Sequence, residues 1–383
     1  MPINAPPSTI HANIISIQLF DRRAWLSILV ATPCREMSSM TQLTEHVDAS
    51  SPKDTLDQVP TIDISGFLNG SPEWRTRVVA QVRQACEEVG FFLIAGHGVP
   101  SRLIKDIRDV SNEFFGLPLE EKLKAHLDPS LVGSSGFEVM GKTALARSLG
   151  NSTPPDYREA YKISVLDVRE DDPYYTSDEG RKYFPPNVWP AKPARFQQVY
   201  EEYYRTVDKL AAHIMRIFAL ALDVDEDFFA DKMDKAVNRL NAVQYLPQEE
   251  LPVEGQLRAG EHTDYGTLTI LLAEDKPGGL QVRLRNKKWV DVRPPEGTFV
   301  INIGDLMMHW TNDRWISNLH RVANPPPEHA NVARLSIVFF QKPNYDAEIS
   351  CLDKSQNAKY APTTAGAHWY EKNAKHRPPV KPA

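Results

Sequence analysis

The sequence predicts an α+β fold in which a sandwich or jelly roll of short strands is flanked by helices. Three observations support this prediction. Residues 240–341 contain several short apolar runs separated by Gly, Pro, Asn and Asp, a pattern typical of such folds. Residues 196–222 carry apolar side chains at helical spacing and predict a long helix. A predicted strand at 59–65 and a predicted helix at 74–89 open the domain.

The remaining elements follow from the same periodicities. Residues 90–96 form an apolar run between glycines, which predicts a buried strand, and residues 103–115 predict a further helix. Residues 132–193 are rich in proline with poor periodicity, so we expect long loops around a few short elements. Strands are predicted at 240–246, 267–273, 280–284, 289–292, 298–303, 320–322 and 334–341.

Composition excludes several classes of protein. The chain has 383 residues, of which 42% are hydrophobic and 25% charged, as in ordinary globular proteins. The net charge of -6 and the scattered Lys and Arg residues argue against a nucleic-acid partner. The longest apolar stretch near the start, Ala24 to Thr32, is much shorter than the roughly 20 residues that span a bilayer, so we expect no membrane partner.

The three cysteines, Cys34, Cys86 and Cys351, are too few and too widely spaced for a disulfide framework. We expect free thiols and a cytoplasmic location. Residues 1–57 contain Arg22, Arg23 and Arg35, and we expect a disordered extension there. A mitochondrial presequence and a start further along the chain, at Met37 or Met40, are the alternatives.

A metal site is predicted from two histidines and one aspartate. His262 and Asp264 are two residues apart, so in an extended segment their side chains leave the same face and can converge on one ion. His320 begins a strand-like run that could fold back beside them. Two imidazoles and one carboxylate suit iron(II), whereas catalytic zinc more often takes three ligands tetrahedrally. The alternative for the first pair is a surface turn with a capping Asp.

A second predicted feature is a binding site for a carboxylate. Arg334 and Ser336 lie two residues apart in a run rich in β-branched and aromatic residues, so they share one face of a strand. The planar guanidinium of arginine binds a carboxylate bidentately, and serine adds a hydrogen bond. A structural Arg–Asp pair is the alternative.

With these motifs in place, the sequence resembles the superfamily of 2-oxoglutarate and iron(II)-dependent dioxygenases, in the branch typified by isopenicillin N synthase. The resemblance spans roughly residues 58–370. It rests on eight motifs in order: Val59–Asp63, Gly90–Gly98, Phe114–Pro118, His262–Gly266, Gly278–Gln281, Asn302–Asp305, His320–Val322 and Arg334–Ser336.

The resemblance implies a double-stranded β-helix, or jelly roll, flanked by helices. It divides the chain into an N-terminal helical and mixed region at 58–235, a catalytic core at 236–345 and a C-terminal segment at 346–383 with a helix and a flexible tail. It also implies that His262, Asp264 and His320 bind iron, while Arg334 and Ser336 bind 2-oxoglutarate.

Further residues are carried over from the same resemblance. Tyr245 occupies the place of a tyrosine that contacts 2-oxoglutarate, although Leu246 stands where relatives commonly have proline. Strand parity predicts that Asn241, Val243 and Phe340 face the substrate. Phe137 is a further candidate substrate contact, with a packed core aromatic as the alternative.

Two further histidines need a separate interpretation. His97 lies in a Gly-His-Gly turn that is structural in relatives, so we expect capping or packing rather than a fourth metal ligand. His309, beside Trp310, faces either the pocket or a packed neighbour.

The implied reaction converts 2-oxoglutarate to succinate and CO₂ while a small organic metabolite is hydroxylated, desaturated or cyclised. Two rivals stay open: an oxidase of the isopenicillin N synthase kind that takes all electrons from its substrate, and a catalytically silent binding protein. We expect a small-molecule substrate and a monomer or weak homo-oligomer.

Overall fold

A computed structural model of the protein describes residues 58–128, 131, 133–151, 153–248, 252–354 and 357–376. The expectations for residues 1–57, and for a tail beyond residue 376, lie outside these ranges. None of the helices in the described ranges combines the length and apolarity needed to cross a bilayer.

Eight α-helices are described in these ranges. The longest, α6, carries a continuous apolar stripe and is the helix predicted at 196–222. The bounds are α1 (Ser65–Asn69), α2 (Pro72–Glu88), α3 (Ser101–Phe115), α4 (Leu119–Leu123), α5 (Pro173–Thr176), α6 (Phe196–Ala221), α7 (Asp305–Trp310) and α8 (Ala365–His376).

Fourteen strands accompany them in the described part of the chain, and every strand predicted between residues 240 and 341 is confirmed. The bounds are β1 (Thr61–Asp63), β2 (Phe91–Ala95), β3 (Gly136–Glu138), β4 (Arg158–Ile163), β5 (Arg239–Tyr245), β6 (Ala259–His262), β7 (Leu268–Ala273), β8 (Leu280–Arg283), β9 (Trp289–Asp291), β10 (Phe299–Ile303), β11 (His320–Val322), β12 (Arg334–Gln341), β13 (Glu348–Ile349) and β14 (Thr363–Thr364).

Two sheets form the centre of the fold. The larger has eight strands in the order β1-β2-β10-β7-β12-β5-β4-β3, and the smaller has four in the order β6-β11-β8-β9. Helix α6 packs against α2, α3 and β12, so it supports the outer face of the larger sheet. The main hydrophobic core lies between these helices and that sheet. Part of the inner face of the larger sheet packs against the smaller sheet through a second core that includes Leu271, Val300 and Val282, and the rest of that face lines a cavity.

Residues 132–193 contain long loops around a few short elements, as expected, and one of these elements is strand β4. Strand β4 lies inside the larger sheet, between β5 and β3. Its sequence, Arg-Glu-Ala-Tyr-Lys-Ile, has charged residues that hide the strand signal, yet the charges have partners in the fold. The Lys122 ammonium lies 2.9 Å from the buried Glu159 carboxylate. The ion pair with Lys122 therefore compensates the charge of Glu159 in a strand that is buried in the sheet.

The C-terminal helix α8 is held to the core by a buried carboxylate. Asp305, at the start of α7, is 2% exposed and accepts a hydrogen bond of 2.7 Å from the Ser317 hydroxyl. The Lys372 ammonium of α8 lies 2.8 Å from the other carboxylate oxygen, and His368 Nε2 lies 3.6 Å away. Burial raises the pKa of Asp305, but His368 and Lys372 outweigh it and hold the pKa well below its usual value.

We predict that Lys372→Met lowers the free energy of unfolding by about 1–3 kcal/mol, because it leaves a buried carboxylate without its cation. Lys375→Met is the matched control, since its partner Glu371 and Lys375 itself are both more than half exposed. Chemical denaturation should show a clear loss of stability for the first variant and none for the second. Equal stability of the two variants would contradict the anchoring role of Asp305.

Candidate metal and co-substrate site

Three potential metal ligands converge where β6 meets β11. These strands pair antiparallel with His262 opposite His320, and Asp264 follows two residues after His262. The Asp264 Oδ1 atom lies 3.9 Å from His262 Nε2 and 3.7 Å from His320 Nε2. Candidate ligand atoms of all three residues lie within 4.8 Å of one another. The predicted return of His320 beside the His-x-Asp segment is confirmed.

Backbone carbonyls fix the orientation of both imidazoles. His262 Nδ1 lies 2.8 Å from the Gly260 carbonyl oxygen, and His320 Nδ1 lies 3.1 Å from that of Asn318. An Nδ1–H that donates to a carbonyl leaves Nε2 with a free lone pair. Burial and the neighbouring His320 lower the pKa of His262 to about 3. His262 is therefore neutral at pH 7, the form that binds metal ions.

The Asp264 carboxylate is held by two donors from the larger sheet. Its Oδ2 atom accepts hydrogen bonds from Thr269 Oγ1 at 2.6 Å and from Asn302 Nδ2 at 2.7 Å. Burial raises the pKa of Asp264, but His320, His262 and these donors outweigh it, so the pKa falls below its usual value. Oδ1 is thus left to point between the two histidines as a charged ligand.

A cavity between the two sheets contains this cluster. The smaller sheet contributes His262 and His320, and the larger sheet contributes the inner faces of β4, β5, β7 and β12. Strand register aligns Arg158, Tyr245 and Arg334 in one row across β4, β5 and β12. Ser336 also lines the cavity, on the same strand face as Arg334.

Arg334 is a buried cation that lacks an anion. It is 1% exposed, its Nε donates to the Glu274 carbonyl at 3.1 Å and its Nη1 donates to Ser336 Oγ at 2.9 Å. No carboxylate in the described part of the chain forms an ion pair with its guanidinium. Burial lowers the pKa of Arg334. These contacts exclude a structural Arg–Asp pair among the described residues and leave a position for the carboxylate of a ligand.

The predicted substrate contacts divide into two groups. Asn241, Val243 and Phe340 all line the cavity, as strand parity predicts. Phe137 does not, because its ring is fully buried in the helix-side core and packs edge-on against Phe114 at 5.8 Å. The prediction that Phe137 contacts the substrate is therefore corrected.

The two additional histidines are structural. His97 Nε2 lies 2.7 Å from the Gly297 carbonyl oxygen, and its Nδ1 accepts from the Val99 amide at 3.1 Å. The His309 ring stacks on Tyr360 at 3.8 Å between centroids. The expectation that His97 caps and packs is confirmed, and His309 packs rather than facing the cavity.

Several cavity residues were missed by the sequence analysis. Lys342 continues the alternation of residues 334, 336, 338 and 340, so strand parity could have found it. Trp369 and Asn373 come from α8, and no local pattern indicates that this helix reaches the cavity. The other charged members are Glu138, Arg158, Lys162 and Arg239.

Two histidines and one carboxylate that converge in a cavity also lined by a buried arginine fit a metal-dependent oxygenase of the non-haem iron class. Comparison with known families agrees. Residues 59–192 match the family model for the non-haem dioxygenase in morphine synthesis N-terminal region. Residues 237–343 match the 2OG-Fe(II) oxygenase superfamily.

Individual relatives cover most of the chain. The 2-oxoglutarate-Fe(II) type oxidoreductase hxnY of Emericella nidulans is 36% identical over 80% of this chain and 86% of its own. A homoarginine-6-hydroxylase of Oryza sativa subsp. japonica is 33% identical over 82% of this chain and 96% of its own. The crystal structure of a full-length Neurospora crassa protein in complex with alpha-KG superposes with a TM-score of 0.71 at 28% identity, covering 85% of this chain and 98% of that one.

The chain belongs to the 2-oxoglutarate–Fe(II) oxygenase superfamily. It is a 2-oxoglutarate-dependent dioxygenase, and its cofactor and co-substrate are Fe(II) and 2-oxoglutarate, as the sequence predicted. The mixed α and β architecture also agrees with these relatives.

We predict that Thr269→Val weakens Fe(II) binding by about 10–100-fold, because a donor that orients a ligand carboxylate is lost. Thr267→Val is the matched control, since the Thr267 hydroxyl donates to the Gln341 carbonyl at 3.1 Å and does not contact Asp264. Anaerobic calorimetric titration measures both affinities. A loss of the same size in both variants would argue against the role of Thr269.

Proposed function

We propose that His262, Asp264 and His320 hold Fe(II), and that Arg334, Ser336 and Tyr245 bind 2-oxoglutarate. One observation carries this proposal: the buried guanidinium of Arg334, without a carboxylate partner among the described residues, opens into the cavity that contains the His-Asp-His cluster. The donor set fits iron, and a buried cation fits the carboxylate of 2-oxoglutarate. We further propose that the two sheets form a double-stranded β-helix.

Bound Fe(II) and 2-oxoglutarate supply the oxidising chemistry, in which O₂, 2-oxoglutarate and a substrate C–H group give succinate, CO₂ and a hydroxylated product. The protein's own groups bind and orient. Arg334 and Ser336 fix one end of 2-oxoglutarate by charge-assisted hydrogen bonds. The apolar wall formed by Val243, Val338 and Phe340 positions the substrate and excludes water.

The substrate of this enzyme is a small organic metabolite. The cavity lies between two sheets and is lined in part by Trp369 of α8, a setting that suits a small molecule better than an extended polymer. The Neurospora crassa protein has been crystallised with thymine, and the Oryza sativa relative is named for homoarginine hydroxylation. The free, buried thiols of Cys86 and Cys351 support a cytoplasmic location.

His320→Ala is expected to abolish Fe(II) binding and the release of succinate from 2-oxoglutarate. The physical reason is that two remaining ligands give too few bonds to hold the ion on one face. Anaerobic titration measures the metal, and chromatography measures succinate. Full succinate release by this variant would refute the ligand assignment, and substrate oxidation without succinate in the wild type would indicate an oxidase.

Arg334→Met should raise the half-saturating concentration of 2-oxoglutarate by about 10–100-fold, because hydrogen bonds to charged groups contribute about 1.5–3 kcal/mol. Ser336→Ala removes one neutral donor and should raise it by roughly tenfold or less. Initial rates of succinate release give both values. A larger effect of Ser336→Ala than of Arg334→Met would contradict the proposed clamp.

A further inference from the structure

The cavity also contains a pair of cations, Lys342 and Arg239, at the end of β12 opposite to Arg334. Lys342 follows β12 directly, and Arg239 begins β5. Both side chains line the cavity, together with Trp369 of α8. Lys342 Nζ lies 5.4 Å from the centroid of the Trp369 ring, and Arg239 Cζ lies 6.0 Å from it. The same tryptophan therefore borders both positive charges.

Lys342 is buried without a counter-ion. The residue is only 8% exposed, and among the described residues no carboxylate pairs with Nζ and no acceptor is hydrogen-bonded to it. Its Nζ lies 5.4 Å from the centroid of the Trp369 ring and 5.9 Å from that of Phe340. Burial, and then Arg239, lower the pKa of Lys342 well below its usual value, against a smaller opposing effect of Asp264. An ammonium in such a place is costly unless an anion joins it.

Arg239 contributes positive charge, but both terminal nitrogens of its guanidinium group already donate hydrogen bonds to protein oxygens. Its Nη1 donates to Ser164 Oγ at 2.5 Å and its Nη2 donates to the Tyr183 carbonyl at 2.6 Å. Both partners are neutral oxygens, so the charge itself is not compensated. Lys342 is consequently the cation that is free to contact a ligand.

The co-substrate does not account for these cations. Lys342 is eight residues beyond Arg334, and an extended strand rises about 3.3 Å per residue, so their backbones lie roughly 26 Å apart. The 2-oxoglutarate molecule held at Arg334 is short compared with this backbone span, so we assign a ligand carboxylate at Lys342 to another molecule.

Charge balance leads to the same conclusion. In the loaded site, the charges of Fe(II) and Arg334 balance those of 2-oxoglutarate and Asp264. Arg158 lies 3.6 Å from the Asp156 carboxylate, and Lys162 lies 2.6 Å from that of Glu138. The charge of Arg239 and that of protonated Lys342 remain, so the loaded cavity favours binding of an anion together with a proton on Lys342.

We propose that the substrate is a small organic carboxylate whose carboxylate group binds Lys342, with Trp369 and Phe340 as the walls beside it. This inference rests on the proposed function, because it treats the Arg334 end of the cavity as the 2-oxoglutarate site. Asn241, which is uncharged, faces the middle of the cavity, where the carbon skeleton of the substrate would lie.

The test uses wild-type enzyme with Fe(II), 2-oxoglutarate and a library of small aromatic and alicyclic carboxylic acids, each paired with its primary amide, beginning with benzoate and phenylacetate. Stimulated succinate release is measured for each compound. At least one acid should stimulate at a half-saturating concentration about tenfold or more below that of its amide, as expected for a hydrogen bond to a charged group. If no acid stimulates, or if the amides are equally effective, the inference is overturned.

Variants of Lys342 then connect the preference to this residue. Lys342→Met should raise the half-saturating concentration of the acid by about tenfold or more and remove the preference over the amide, whereas Lys342→Arg should keep the preference. Lys209→Met, which removes an exposed lysine on α6, is the charge-matched control. If Lys342 only packs against the rings, Lys342→Met will keep the acid preference and the proposal fails.

The two proposals fail in different ways. Wild-type protein that binds neither Fe(II) nor 2-oxoglutarate refutes the proposed function. Wild-type protein that binds both and is stimulated by neutral amides as strongly as by acids refutes only the role of Lys342. Thermal denaturation of each variant confirms that it is folded before its kinetics are compared.

Discussion

The Asp264 carboxylate is the point on which the arrangement of the site depends. Its Oδ2 is held by Thr269 and Asn302 of the larger sheet, and its Oδ1 faces two histidines of the smaller sheet. The carboxylate thereby connects the two sheets, with hydrogen-bond donors from the larger sheet on one oxygen and the histidines of the smaller sheet facing the other. Because the group is buried and charged, losing a partner would leave an uncompensated anion, which is costly in a protein interior.

The same segment also positions the C-terminal helix. The Asp305 amide donates to the Asp264 carbonyl at 2.8 Å, and the Asp305 carboxylate holds Lys372 of α8. Helix α8 in turn places Trp369 at the cavity. A short chain of hydrogen bonds and one ion pair therefore leads from the proposed metal ligands to the wall of the cavity. Changes in α8 can reshape that wall while leaving the metal ligands in place.

Much of the site could be predicted because it depends on local patterns. His262 and Asp264 are separated by two residues, and the alternation along β12 places Arg334, Ser336 and Phe340 on one face. The features that were missed depend on tertiary contacts. The strand signal of β4 is hidden by its charged residues, which are compensated by Lys122 of α4 and by the neighbouring Asp156. Phe137 was a candidate only through the family resemblance, and its three-residue strand is too short for periodicity to choose between substrate contact and the packed core position it occupies.

Strand β12 separates the residues proposed to bind 2-oxoglutarate from those proposed to bind the substrate. Arg334 and Ser336 lie at its start, while Phe340 and then Lys342 lie at and beyond its end, all turned toward the cavity. The intervening residues Leu335, Ile337 and Phe339 are buried in the core, so a slip of one residue would move core side chains into the cavity and both cations out of it. The register is thus specified by the core, and the distance between the two cations follows from it. On the proposed assignments, substrate selectivity can vary at the far end, through Lys342 and Trp369, without altering the residues proposed to bind 2-oxoglutarate. Such a separation accounts physically for a fold whose members accept different substrates around one metal centre.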